Sequence, residues 1–241
     1  MEPLIPADML AAFILLTFAL LALIAFGYNR AIRNSGMEKA DRKSKTRRLL
    51  IPLLFWLLFL AKISDMDFFH DWSTMPPRLV IAVLPPLIFA IALFNSKRIS
   101  SWLEHVPQHW LILVQSFRIV MELILWRLFI ENVIPVQMTF EGRNLDILSG
   151  LTALVVGYLA YRKKFSNRFI IGWNIFGLVL LANIVVVALL STPIPFRQFM
   201  NEPANTIVAY FPFVWLPCCV VPLVLLSHLA SIRQLLYSNR Q

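Results

Sequence analysis

Charge is scarce in this chain of 241 residues. Only 15% are Asp, Glu, Lys or Arg against 59% hydrophobic, and mean hydropathy is +0.72. A soluble domain does not carry this balance. Cysteine is nearly absent: Cys218 and Cys219 are the only two. Side chains of neighbours on a helix point about 100° apart, so a disulfide between them would be strained and they read as packing residues. The nearest histidine, His228, lies nine residues on, too far along a helix to act as base for a nucleophilic thiol. Histidine is scarce too, with four in all. His109 and His228 lie toward the same end of two apolar runs, where a bis-histidine haem site is conceivable. No C-x-x-C-H motif supports it, so both are expected to hydrogen-bond at headgroup level, and no cofactor is expected.

What the chain has in quantity is apolar length. Seven runs, near 9–28, 49–64, 79–94, 109–130, 146–162, 169–190 and 207–232, approach the roughly 20 residues that a helix needs to cross about 30 Å of hydrocarbon. They are continuous, unlike the alternating segments of about 10 residues in a membrane barrel, and hydrocarbon leaves backbone groups no partner but their own helix. The expectation is an all-α, polytopic membrane protein, a single bundle of about seven transmembrane helices. The leading residues carry Glu2 and Asp8 in place of basic residues, and no A-x-A site follows Phe26. The first run is therefore expected to stay in the mature chain.

Lys and Arg between the runs predict orientation. Arg30, Arg33, Lys39, Arg42, Lys43, Lys45, Arg47, Arg48, Lys97, Arg98, Arg162, Lys163, Lys164, Arg168, Arg233 and Arg240 fall on one side, and only Arg78, Arg143 and Arg197 on the other. Sixteen against three puts the N-terminus outside and the C-terminus in the cytoplasm of a cell membrane, inner or plasma. It also accounts for the net charge of +9 without nucleic acid. The segment 29–48 is expected as a basic cytoplasmic loop, and its positions 30–48 could attract anionic lipid headgroups. Trp72, Trp102, Trp110 and Trp173 fit an aromatic belt.

The fourth run, VQSFRIVMELILWRL at 114–128, carries charge inside apolar sequence. At about 100° per residue, Gln115 and Arg118 lie about 20° and 40° from Glu122, one polar stripe, whereas Arg127 lies about 140° away. Arg127 is expected to pair with Glu131 or to snorkel. Charge in hydrocarbon costs several kcal/mol, so Arg118 and Glu122 should face protein or a wet cavity and neutralise each other. Because Arg precedes Glu, the less favourable order within one helix, partners from other runs are expected. Asn183, Ser149, Thr152, Tyr158, Ser227 and His228 qualify by type, and depth points to Asn183 and Thr152. The ligand-binding set is thus Arg118, Glu122, Gln115, Asn183 and Thr152. Prolines 85 and 86 in run three, and 212, 217 and 222 in run seven, free carbonyls that could line such a site.

Outside the membrane, Asp65, Asp67, His70 and Asp71 crowd one loop with ligand types that suit a divalent ion, though an ordinary solvated loop is expected and no metal is assigned. Lys62 could reach these aspartates. In MTFEGRNLD (138–146), Gly142 reads as a turn and Asn144 as an N-cap. The proline-rich STPIPFRQFMNEPAN (191–205) could cover an opening. Known seven-helix classes are excluded at their defining residues: run seven holds no lysine for a retinal Schiff base, D/E-R-Y and N-P-x-x-Y are missing, and the histidine pair of alkaline ceramidase-like hydrolases is absent. The favoured function is handling of a small ligand or ion, as a transporter or sensor. The alternatives are an intramembrane enzyme acting on a lipid or lipid-linked substrate, and a structural or accessory subunit.

Overall fold

The seven apolar runs become seven helical rods in the computed structural model, which describes residues 4–34, 39–96, 103 and 105–238; no strand occurs among them. In chain order they are α1 (Ala7–Asn34), α2 (Lys39–Asp65), α3 (Arg78–Asn95), α4 (Gln108–Leu113) joined by a 3-10 turn at Val114–Ser116 to α5 (Phe117–Ile130), α6 (Asp146–Tyr161), α7 (Asn167–Leu190) and α8 (Val221–Ser238). Four stretches are long and apolar enough to cross a membrane: Ala7–Asn34, Arg78–Asn95, Asn167–Leu190 and Leu216–Leu236. The others fall short for visible reasons. Charges bracket the apolar part of α2, α5 contains Arg118, Glu122 and Arg127, and α6 has only 16 residues.

Two boundaries differ from expectation. The segment 29–48 is not a loop over its described residues: α1 runs to Asn34 and α2 begins at Lys39, because alanine, arginine and lysine are good helix formers that continue a helix begun in the apolar run. Run seven starts later than 207. Ile207–Ala209 is a 3-10 turn, and a wide π turn, Leu216–Val220, leads into α8. Prolines 212 and 217 cannot supply the N–H groups an α-helix would need there. Pro85 and Pro86, by contrast, lie within an unbroken α3. Lys97, Arg98, Trp102 and Arg240 lie outside the described residues.

Packing is built on close approaches. α8 touches α3, α4 and α7, and α6 lies along α4 and α5. Gly157 of α6 meets Leu113, and Gly150 meets Ile119, each at a distance where an added Cβ would fall 2.6 and 2.9 Å from the neighbouring side chain. Small residues in register let these backbones approach, as membrane helices require when no water drives them together. Phe13 and Phe213 are wholly buried, with ring centroids 4.5 Å apart, and join α1 to the segment before α8. Pro222 deprives the Cys218 carbonyl of its helical donor, and the Trp56 indole N–H supplies one at 3.0 Å. That freed carbonyl is therefore consumed by packing and does not line a ligand site. Both cysteines are free and buried. Trp173 is buried beside His228, with ring centroids 5.6 Å apart, and is not a belt residue. The outward faces carry Leu15, Phe55, Leu58, Phe89 and Val179, all exposed, as hydrocarbon-facing surface should.

Candidate functional site

Gln115, Arg118 and Glu122 are each no more than 2% exposed, so the stripe predicted on the fourth run does face protein. The expected pairing is corrected, however. The Arg118 guanidinium forms its ion pair with Asp146, the first residue of α6. Its other nitrogen donates to Ser149 Oγ at 3.0 Å and faces His228 Nε2 at 3.3 Å. Asp146 closes the stretch 138–146 that was expected outside the membrane. Instead, Asn144 Oδ1 accepts the Asp146 backbone N–H at 3.1 Å, turning the chain so that α6 starts with its first carboxylate pointed inward. The N-cap is therefore Leu145, one residue after the predicted Asn144, whose side chain instead makes the turn that precedes the helix.

Glu122 has a different partner. The Asn144 side-chain amide donates to both of its oxygens at 2.7 Å and also to the Met138 carbonyl at 3.1 Å. Two N–H bonds are shared among three acceptors, leaving the carboxylate thinly served. The buried centre therefore contains two carboxyl groups and one guanidinium, and Arg118 is already occupied by Asp146, Ser149 and His228. Asp146 Oδ1 is buried without a hydrogen-bond partner.

His228 is fully buried inside the protein. A guanidinium can only donate, so Nε2 accepts and the proton resides on Nδ1, which donates to Asn174 Oδ1 at 2.9 Å. The Asn174 amide in turn donates to the Ile170 carbonyl and to Ser231 Oγ, both at 2.8 Å. Both ring nitrogens of His228 are thus engaged, and His109 packs edge-on against Tyr161 at 5.0 Å. Nor can His228 activate Ser149: the nitrogen that would take the serine proton faces Arg118. Gly177 makes room for the imidazole, since a Cβ there would fall 2.4 Å from His228 Cε1.

Two predicted site residues lie elsewhere. Thr152 is exposed, donates to the Leu148 carbonyl at 2.6 Å and accepts from Trp173 at 3.0 Å. Asn183 is exposed and donates to the Arg143 carbonyl at 2.8 Å. Depth along a helix says nothing about the side of it that a residue occupies. Tyr158 is likewise exposed. Ser227, expected as a partner of Arg118 or Glu122, instead receives the Gln115 amide. Asp146, Asn174 and Ser231 were not anticipated, although Asp146, Ser149, Gly150, Ala153 and Gly157 recur at helical spacing and form the buried face of α6.

The acids expected outside the membrane are each claimed separately. Lys62 pairs with Asp65 at 3.0 Å as expected, His70 with Asp67 at 2.8 Å, and Arg78 with Asp71 at 2.7 Å. Among the described residues no three His, Cys, Asp or Glu side chains are grouped to hold a metal ion. Asp71 also accepts from the Ser73 hydroxyl at 2.6 Å and the Ser73 N–H at 3.0 Å, and these bonds, with Arg78, hold its carboxyl below the usual range. Arg127 pairs with Glu131 as predicted, and Glu141 accepts from the Trp126 indole at 2.7 Å. In the segment 191–205, Arg197 donates to the carbonyls of Phe199 and Asn201 and pairs with Glu202, while Arg143 lies 4.9 Å over the Phe199 ring.

Fold and site together define an all-helical, membrane-associated protein with a buried Arg–Asp pair and one further carboxyl group at its centre. The chain belongs to the DUF8737 family, a domain of unknown function, whose model matches residues 76–236 and so contains every residue of that centre. No curated protein and no solved structure matches it.

Proposed function

We propose that this chain crosses the membrane seven times, N-terminus outside and C-terminus in the cytoplasm, and handles a small cation or proton at Glu122 as a transporter or sensor. The observation that carries the reading is the charge count at the centre. Arg118 is matched by Asp146 and turned toward Ser149 and His228, which leaves Glu122 as the group with no ion-pair partner. An isolated carboxylate in a dry interior is strongly disfavoured until a proton or cation joins it. Anion binding by Arg118 has less support, because an anion would have to displace Asp146. An intramembrane hydrolase has less still, since no base faces Ser149. The seven-pass topology is supported by the seven rods and by the basic residues gathered on one side. That asymmetry also favours a cell membrane, with the basic stretch 30–48 at its cytoplasmic face.

The test is flux. Purified protein in sealed liposomes is given an inward gradient of protons, lithium, sodium or potassium in turn, and uptake is followed with an internal dye. Glu122→Gln, which keeps the shape and removes the charge, should abolish the cation-dependent signal while melting stays within a few degrees of wild type. A signal unchanged in a folded Glu122→Gln protein would refute the reading. So would the absence of both flux and any cation-dependent melting shift in wild type.

A further inference from the structure

Hydrogen bonding does not stop at Arg118. It continues from His228 through Asn174 to Ser231, and Ser231 Oγ also receives the amide of Gln108, at the start of α4, at 2.6 Å. One turn away on α8, Ser227 receives the amide of Gln115. Ser227 spends its own proton on the Val224 carbonyl at 2.9 Å, so the Gln115 amide must be oriented with its nitrogen toward Ser227. The Gln115 oxygen is then left buried with no partner, and the same is true of Gln108 Oε1 and Asp146 Oδ1. Three orphaned acceptors occur along one polar column, and Gln115 itself is wholly buried. Acceptors in this condition call for donors such as water or a passing cation.

From Gln108 to Glu122 the column covers 14 residues of one rod, about 21 Å at about 1.5 Å per residue. Gln108 lies at the end that the basic residues mark as cytoplasmic. At the opposite end, Glu122 is roofed by Asn144, and the chain beside it is tied down by Asn183 holding the Arg143 carbonyl and by Arg143 on Phe199. We infer that the column Gln108–Gln115–Ser227–Ser231–Asn174–His228 is a hydrated cytoplasmic half-path, through which a small cation or proton reaches Glu122 and Asp146 from the inside only. This deepens the cation or proton reading of Glu122 and rests on it.

The experiment is sided thiol protection. In a Cys218→Ala/Cys219→Ala background, Gln115→Cys and Ser231→Cys are placed in the column and Val179→Cys on the exposed, lipid-facing side of α7. Silver ion, a small cation that bonds thiolates, is added to inside-out or right-side-out vesicles. Remaining thiols are counted by maleimide mass labelling after denaturation. The column cysteines should be consumed at least about tenfold faster from the cytoplasmic side than from the outside, and about tenfold faster than Cys at 179. Faster reaction from outside, or none beyond the lipid-facing control in variants that melt like the background, overturns the path. If Ser231→Cys does not fold, Gln108→Cys at the half-buried mouth takes its place. An unchanged flux in Glu122→Gln would sink the reading of Glu122 while leaving the sidedness standing. Loss of sidedness would sink the path while leaving that flux result untouched.

Discussion

Replacing Arg118 with Met would strip Asp146 of its only charged partner in a place where its side chain is 10% exposed. Ser149 and His228 would lose their donor as well. Breaking a buried ion pair from one side costs about 3–5 kcal/mol, because the other charge is left uncompensated. For a chain of this size 1 kcal/mol moves the melting temperature by about 2–4 °C, so Arg118→Met should melt about 6–20 °C lower. Asp146→Leu should fall in the same range. The double change removes both charges, and the cycle should show a coupling of about 2–3 kcal/mol between positions 118 and 146. The same cycle with Glu122→Gln in place of Asp146→Leu should show a coupling less than half as large, because Glu122 hydrogen-bonds to Asn144 and not to Arg118. Reversible unfolding in mixed micelles, followed by tryptophan fluorescence, measures all six proteins. A larger coupling for Arg118 with Glu122 than with Asp146 would refute the assignment of the pair.

Further outcomes follow from single contacts. Gly177→Ala should destabilise by about 1–3 kcal/mol through overpacking, since its Cβ would strike the His228 ring, whereas Gly172→Ala, with nothing within 4 Å, should be neutral or slightly stabilising in the same unfolding assay. Equal melting of the two would argue against the close approach of α7 and α8. In the loop between α2 and α3, Ser73→Ala should raise the pKa of the Asp71 carboxyl toward the ordinary value, as read by carboxyl carbon NMR. Because the folded-state pKa is depressed, the stability Asp71 contributes is present above its unfolded pKa and is lost as pH falls through the folded one. An unmoved titration would reassign the shift to the Ser73 backbone N–H and Arg78, which the substitution leaves in place.

The helices were legible because membrane helices announce themselves by apolar length, and the seven rods follow the seven runs. The buried stripe was legible from angle alone: Gln115, Arg118 and Glu122 share a face. Asp146 was not, because a carboxylate one residue inside a helix looks in sequence like the last residue of a polar loop. Only the turn made by Asn144 aims it inward. Reading the fifth run by face, where Asp146 shares a side with Ser149, Gly150, Ala153 and Gly157, would have found it. Reading by depth selected Thr152 and Asn183, which point outward.

The 3-10 turn at Val114–Ser116 acts as a phase correction. In an unbroken α-helix Gln108 would sit about 80° away from Arg118 around the axis. Each 3-10 residue advances about 120° in place of about 100°, so three of them rotate the upper part of the rod by about 60°. Gln108 and Arg118 then come within about 20° of each other, like two teeth of a gear re-indexed to mesh with the same rack on α8. No residue type in VQS marks this shift: a helical wheel drawn from sequence puts Gln108 on the Gln115 edge of the stripe, about 40° from Glu122, and only the 3-10 turn brings it into line with Arg118.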